Sequence, residues 1–339
     1  MASIGITGIG AYAPEKLLTN DDLARMVDTS DEWITERTGI KERHIAAKDQ
    51  ATSDLAYEAY KDLIRNYPMT PDERDLIVVA TVTPDRIFPT TANLLQQKIG
   101  APYIPSLDIL AACSGFLYAM SVAYSQVKAG LSRRALVFGA ETMSRIVDWS
   151  DRRTCVLFGD AAATVVLSET EEGLGIVDIM LKSDGTGSEF LHMPAGGSRL
   201  PPSPRTVARR LHTLHMNGRE VFAWAVRRQG EIIDQILTRN HLTPEDIKLF
   251  VLHQANYRIL EATWKKFKLP KDKFYVNINR YGNTTAASIP LALYEAFREG
   301  LLRKGDWVVL NAFGAGFTWG AILLRWALDA PPHASPPRI

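Results

Sequence analysis

Thr70-Pro71-Asp72-Glu73-Arg74-Asp75-Leu76-Ile77-Val78-Val79 and Thr243-Pro244-Glu245-Asp246-Ile247-Lys248-Leu249-Phe250-Val251-Leu252 lie 173 positions apart, and both read as a turn followed by a buried strand. At the same offset, with no gap, Ala135-Leu136-Val137-Phe138 falls on Val308-Val309-Leu310-Asn311. Cys113 and its small-residue helix fall on Ala286 in Thr284-Thr285-Ala286-Ala287-Ser288. Three successive elements in one register point to a duplicated unit. The apolar runs do not alternate with polar residues, so they read as parallel strands covered on both faces, joined by crossover helices. The expectation is two α/β halves, 1–170 and 175–326, and a frayed, Pro-rich tail over 327–339.

Thirty-nine Lys and Arg stand against 38 Asp and Glu in 339 residues, a formal charge of +1 with 46% apolar residues. That length and balance suit a globular protein of two domains or one duplicated unit. They give no global attraction to nucleic acid or to an anionic membrane, so an acidic partner would need a local basic face. Cys113 and Cys155 have no CxxC spacing, which excludes a disulfide framework or zinc knuckle and suits a reducing cytoplasm. The start of the chain lacks a basic region followed by a long apolar core, and no stretch of eighteen apolar residues occurs. A soluble cytoplasmic protein without membrane insertion is expected.

Ser53 reads as the cap of a helix over Asp54 to Arg65, with Leu55, Ala59, Tyr60 and Leu63 as its apolar stripe. Ser114 to Ala129, stopped by Gly130, is apolar almost all round, which places it at the centre of a domain. Asp184 to Arg219 is rich in Gly, Pro and Arg without a period and reads as a long surface excursion. Gly8-Ile9-Gly10-Ala11-Tyr12-Ala13 matches a dinucleotide fingerprint in letters only. Pro14 and the Thr19-Asn20-Asp21 cap put the next helix too late for a pyrophosphate to sit at its start.

Leu107 to Phe116 reads as a strand, a tight turn and a buried helix beginning beside Cys113. Unsatisfied N–H groups and the helix dipole there would lower the thiol's pKa and favour a nucleophile. The plain alternative is a structural cysteine acting as a small hydrophobe, and Cys155, with no helix start beside it, is read that way. His253 follows the run Leu249 to Leu252, at the carboxyl end of a strand where open α/β sheets place their chemistry; a satisfied core histidine is the alternative. Asn283 follows an expected strand over Phe274 to Ile278, in the loop that the repeat matches to the Cys113 loop, although turns favour Asn on their own account. Gly314-Ala315-Gly316 would let backbone N–H groups approach a ligand closely, as in an oxyanion hole, or would simply turn between two strands.

Ala111-Ala112-Cys113-Ser114-Gly115-Phe116, His253-Gln254-Ala255-Asn256, Tyr281-Gly282-Asn283-Thr284 and Phe313 to Gly320 together resemble the β-ketoacyl-acyl carrier protein (ACP) synthase III family. Thr29 to Ile40, with Asp31-Glu32-Trp33-Ile34-Thr35-Glu36-Arg37, adds a specific match, and the likeness runs from Ile4 to Trp326. It implies a thiolase-like, duplicated, five-layered α/β/α/β/α fold. It also implies a homodimer that condenses an acyl-coenzyme A primer with malonyl-ACP to begin fatty acid synthesis, without a cofactor or metal. Carried over residue by residue, Cys113 matches the acyl acceptor, and His253 and Asn283 match the pair that assists decarboxylation. The amides of Cys113 and of Gly314, Ala315 or Gly316 would hold the oxyanion. Trp33 and Arg152 match residues that sandwich the coenzyme A adenine, and Arg37 one near its phosphates. Phe88 matches a residue reaching across the dimer into the partner's acyl pocket. Arg258, Lys265 and Lys266 lie on one side of the helix after His253 and would meet the acidic carrier.

The chain departs from the family pattern at Gly159 to Ala163, at Ala315, and at Ala223, where a carrier-contacting lysine is common. A carrier-independent secondary-metabolite condensing enzyme, a Cys/His thioesterase-like hydrolase and an acyl-binding paralogue without catalysis are the competing readings.

Overall fold

The computed structural model describes residues 3–331. Most of the tail expected to fray lies outside the described residues. Nine strands make two central sheets: β1 Ser3–Tyr12, β2 Asp75–Ala80, β3 Ser106–Ile109, β4 Arg134–Glu141, β5 Ala161–Thr170, β6 Gly175–Ser183, β7 Leu249–Leu252, β8 Trp307–Gly314 and β9 Thr318–Arg325. The first sheet runs β1-β5-β4-β2-β3 and the second β6-β9-β8-β7. β2 is parallel to both β4 and β3 in the first sheet, β7 is parallel to β8 in the second, and the strands toward the β1 or β6 edge are antiparallel.

The 173-residue offset survives in three dimensions. Arg134 and Glu141, the ends of β4, map onto Trp307 and Gly314, the ends of β8. The single 3₁₀ turn Ala112–Ser114 maps onto the 3₁₀ turn Thr285–Ala287. Facing is conserved as well. Leu76, Val78, Leu249 and Val251 enter the core between the sheets, whereas Ile77 and Val79, like Phe250 and Leu252, point to the outer layers. A strand with period-two geometry buried on both sides reads as an unbroken apolar run for this reason. Burying each such side chain contributes roughly 1.5–3 kcal/mol.

Six helices complete the layers: α1 Thr52–Asn66, α2 Thr91–Lys98, α3 Gly115–Lys128, α4 Gly218–Arg239, α5 Tyr257–Phe267 and α6 Ser288–Arg298. α1 and α2 cover the outside of the first sheet, and α4 with α5 the outside of the second. α3 and α6 lie between the sheets and touch both, which is why α3 is apolar on nearly every face. The result is α/β/α/β/α. Gly130 ends α3 with φ +73°, the left-handed conformation that glycine adopts without a Cβ penalty.

Four local expectations change. α1 begins at Thr52, not after Ser53, because the Asp54 carboxylate accepts the Ala51 N–H and Ser53 instead donates to Asp85. Phe274 to Ile278 is not a strand: Phe274 makes one parallel bridge to Phe250, and Ile278–Tyr281 is a helical turn. That bridge occupies the place β3 holds in the first sheet. Asp184 to Arg219 is not a structureless excursion, since Leu191–His192 pairs with His215–Met216 and Pro204–Ala208 is helical. Its Arg210 bonds Asp148, and Leu214 N–H bonds Ile146 O, folding the segment back onto the body. Gly8 to Ala13 lies in and just after β1, and the next helix, Asn20–Ala24, begins after its Thr19 cap, as the rejection of a dinucleotide turn requires.

Candidate active site

Between β3 and α3 the chain makes a strained turn. Ala112 has φ +47°, and Thr285, its equivalent in the second half, has φ +51°. For a residue with a β-carbon that conformation costs about 1 kcal/mol or more, so it persists only where its surroundings impose it. They do: Ser114 Oγ and Thr318 Oγ1 lie 2.6 Å apart and 2.9 and 3.0 Å from Ala111 O, so their two protons bond the hydroxyls to each other and to that carbonyl. Thr318 opens β9, so the turn bearing Cys113 is tied to the loop Gly314 to Thr318.

Cys113 lines a cavity of about 610 Å³ with His253, Asn283, Gly314, Ala315 and Gly316. The chain thus brings the three polar candidates and the glycine hairpin to one place from four separate segments. Gly314 to Gly316 lies at the turn between β8 and β9 and at the same time on the cavity wall. The expected lowering of the thiol pKa does not occur. Burial pushes Cys113 up to about 12, with the nearby Glu141 charge adding, and its own amide and the Thr285 hydroxyl only partly oppose this. The resting group is a thiol.

His253 is 1% exposed, and burial pushes its pKa down to about 3, so the ring is neutral. Its backbone N–H donates to Asn311 O (2.8 Å), Nδ1 lies 2.5 Å from Ser288 Oγ, and Nε2 has no partner. Asn283 is held by its backbone, its N–H to Leu157 O (2.8 Å) and its carbonyl from Gly159 N–H (3.1 Å). Its Oδ1 accepts the Thr285 N–H at 2.9 Å. Buried Arg43 holds the turn beside it through Val156 O (2.7 Å).

Trp33 and Arg37 line the cavity from the helix Asp31–Thr38, whose Ser30 cap accepts the Trp33 N–H. Arg37 lies 4.6 Å and Arg152 5.2 Å from the Trp33 ring centroid, and Arg152 also bonds Asp28 O (2.6 Å). Arg153, not Arg152, reaches the cavity lining. Phe88 lies away from the cavity and is 81% exposed. Arg258, Lys265 and Lys266 sit on α5 outside it: Arg258 packs over Phe222, itself a lining residue, while Lys265 pairs with Glu261 and Lys266 with Asp234.

Three features were not found from sequence. Glu141, fully buried at the end of β4, accepts from the N–H groups of Val82 and Thr83 and the hydroxyls of Thr81 and Thr83, and burial raises it to about 7. An acid closing the apolar run Ala135 to Ala140 was its only sign. Gln229 of α4, 1% exposed with Oε1 unpartnered, lines the cavity. The excursion supplies a wall through Ser188, Leu191, Met193, Leu214 and Met216. Among the described residues no cluster of three His, Cys, Asp or Glu could hold a metal ion.

Residues 107–185 match the family model described as 3-oxoacyl-[acyl-carrier-protein (ACP)] synthase III, and residues 237–326 match the model of its C-terminal part. The β-ketoacyl-[acyl-carrier-protein] synthase III of Caldanaerobacter subterraneus subsp. tengcongensis is 52% identical over 323 residues, covering 95% of this chain and 98% of that protein. The crystal structure of the Thermus thermophilus synthase III superposes with a TM-score of 0.89 at 46% identity, covering 95% of this chain and 99% of that one. The Aquifex aeolicus 3-oxoacyl-[acyl-carrier-protein] synthase III gives 0.88 at 44%, covering 96% and 100%. With the duplicated five-layer architecture and a whole-length likeness of this closeness, the chain belongs to the β-ketoacyl-ACP synthase III family, condensing acyltransferases of the thiolase fold.

Proposed function

We propose that this protein joins an acyl-coenzyme A primer to malonyl-ACP by decarboxylative Claisen condensation, with Cys113, His253 and Asn283 as its catalytic residues. The observation that carries the reading is the convergence of Cys113, an unpartnered neutral His253 Nε2 and Asn283 on one cavity. In the first stage Cys113 Sγ attacks the primer thioester. The thiol proton leaves with coenzyme A, and amides of Cys113 and Gly314 to Gly316 face the oxyanion. Trp33, Arg37 and Arg152 receive the nucleotide end.

In the second stage His253 Nε2–H and Asn283 donate to the malonyl thioester oxygen. As the C–C bond to carboxylate breaks, its electrons pass into an enolate that these donors stabilise, and carbon dioxide leaves. The enolate carbon attacks acyl-Cys113, and the sulfur leaves and takes a proton from solvent. A buried histidine too acidic to charge near neutrality suits this role, because it donates without becoming a cation. The chemistry so written uses side chains and amides alone, with coenzyme A as a substrate and not a cofactor.

Residues 1–170 carry Cys113 and residues 175–326 carry His253 and Asn283 in this reading. The protein acts in the cytoplasm as a homodimer, with Phe88 entering the partner's acyl pocket. Exposed Ile87, Phe88, Tyr103 and Leu110, the last two flanking edge strand β3, support a covered face there. No helix among the described residues is long and apolar enough to cross a membrane. Incubation with acyl-coenzyme A and malonyl-ACP should yield both carbon dioxide and a β-ketoacyl-ACP. Thioester hydrolysis without condensation would instead favour the hydrolase reading.

A further inference from the structure

We infer that Ser288 is the positioning residue that fixes the proton of His253 on Nε2, and so makes the ring a donor toward the cavity. The inference rests on the condensing role just proposed for His253. A neutral imidazole carries one ring proton, and the hydrogen bond made by one nitrogen decides which of the two holds it. Nδ1 lies 2.5 Å from Ser288 Oγ, and Nε2, on a residue that lines the cavity, is buried without a partner.

Ser288 Oγ has one proton to give and two lone pairs. The Gln254 N–H already donates to it, at 3.4 Å, and among the described residues Oγ has no partner besides that N–H and Nδ1. If Nδ1 carried the ring proton, Oγ would accept twice and its own proton, in a residue 2% exposed, would have no acceptor. Burying an unmade donor is unfavourable. With the serine proton given to Nδ1, Nε2–H is the one group of this set left without a partner, against two (the serine proton and Nε2) in the other form, and it is the group offered to a substrate oxygen. The Gln254 N–H is itself held in place, because the Gln254 side chain donates to Leu252 O (2.8 Å) and Tyr275 O (3.1 Å) and accepts from Asn277 N–H (3.1 Å).

The duplication gives a second, independent observation. Displaced by 173 residues, His253 and Ser288 correspond to Ala80 and Gly115, at the end of β2 and the start of α3. A β-carbon on Gly115 would lie 3.3 Å from the Ala80 Cβ, so the same strand-to-helix contact exists in the first half without polar groups. The fold supplies the juxtaposition twice, and only one copy is equipped as a donor.

The test reads the tautomer directly. In full-length protein labelled with ¹⁵N at histidine, His253, assigned by its loss in His253→Gln, should show a protonated Nε2 and an unprotonated Nδ1. Ser288→Ala should show exchange between the two forms. The same variant should form acyl-Cys113 from acyl-coenzyme A within about twofold of wild type, while malonyl-ACP decarboxylation falls on the order of a hundredfold. A proton on Nδ1 in the wild type overturns the assignment. So does wild-type decarboxylation in Ser288→Ala, or an equal fall in both half-reactions, which would mark a merely structural residue. A wild type that neither acylates nor decarboxylates would fault the condensing reading instead, and its tautomer would still decide the role of Ser288.

Discussion

A β-carbon on Gly314 would stand 2.7 Å from the backbone nitrogen of Cys113 and 3.0 Å from that of Ser114. The turn that carries the thiol therefore rests directly on the end of β8, and the obstructing atoms are backbone, which cannot rotate away. Gly314→Ala should push the turn off the hairpin and cost about 1–3 kcal/mol of stability. Acylation of Cys113 should fall further than that loss explains. A thermal melt and intact mass after incubation with acyl-coenzyme A measure the two effects, and a variant that acylates normally would show that the hairpin does not set the turn.

Cys113→Ala should carry no acyl adduct, because Cys155, the other cysteine, is fully buried and does not line the cavity. His253→Ala and Asn283→Ala should keep the adduct and lose about 10²–10³-fold in malonyl decarboxylation, the usual cost of removing one oxyanion donor. Mass spectrometry and release of labelled carbon dioxide separate the half-reactions. Equal loss of both would reassign the pair.

Thiolate supply gives a pH signature. With the Cys113 thiol at about 12, the reactive fraction grows about tenfold for each pH unit throughout the neutral range. Alkylation by iodoacetamide should therefore climb from pH 7 to 9 without levelling. A plateau near pH 7 would mean that the helix start outweighs burial after all.

Arg152 lies 5.2 Å from the Trp33 ring centroid, whereas a sandwiched base needs about 3.5 Å on each side. For the proposed sandwich to form, the guanidinium must swing away from Trp33 and from Asp28. Arg152→Ala removes both the obstacle and the second face of the sandwich. It should raise KM for acyl-coenzyme A about tenfold and leave malonyl-ACP nearly unaffected; a lowered KM would mean the arginine only blocks the site.

On α5, Lys265 and Lys266 already spend their charge on Glu261 and Asp234, while Arg258 has no acidic partner among the described residues. Arg258→Glu should thus raise KM for malonyl-ACP more than either lysine change, with acyl-coenzyme A loading unchanged. Added salt should weaken the wild type in the same direction. Steady-state kinetics at two ionic strengths test this, and equal effects on both substrates would place carrier docking elsewhere.

What the sequence determined by itself was the local and the periodic: runs buried on two faces, a helix apolar all round, and a 173-residue register that returned two matching 3₁₀ turns and two matching parallel strand pairs. These follow from short-range sterics and burial pattern, which a linear chain displays directly. That Cys113, His253 and Asn283 would meet on one cavity was legible because each ends a readable strand or loop. The tertiary structure decided what depends on neighbours distant in the chain. The helix start beside Cys113 suggests an acidic thiol, yet the surrounding core and Glu141 raise it, because desolvation is a property of the packed volume. Gln229 on the cavity wall, the inward face of the Asp184 to Arg219 excursion and the Ser288 hydroxyl at His253 carry no local signal, since residues 35 or more positions apart acquire their chemistry only on meeting. Phe274 keeps just one bridge where the first half has a full strand, and it lies between the turns Lys271–Lys273 and Ile278–Tyr281, a difference invisible in an apolar run.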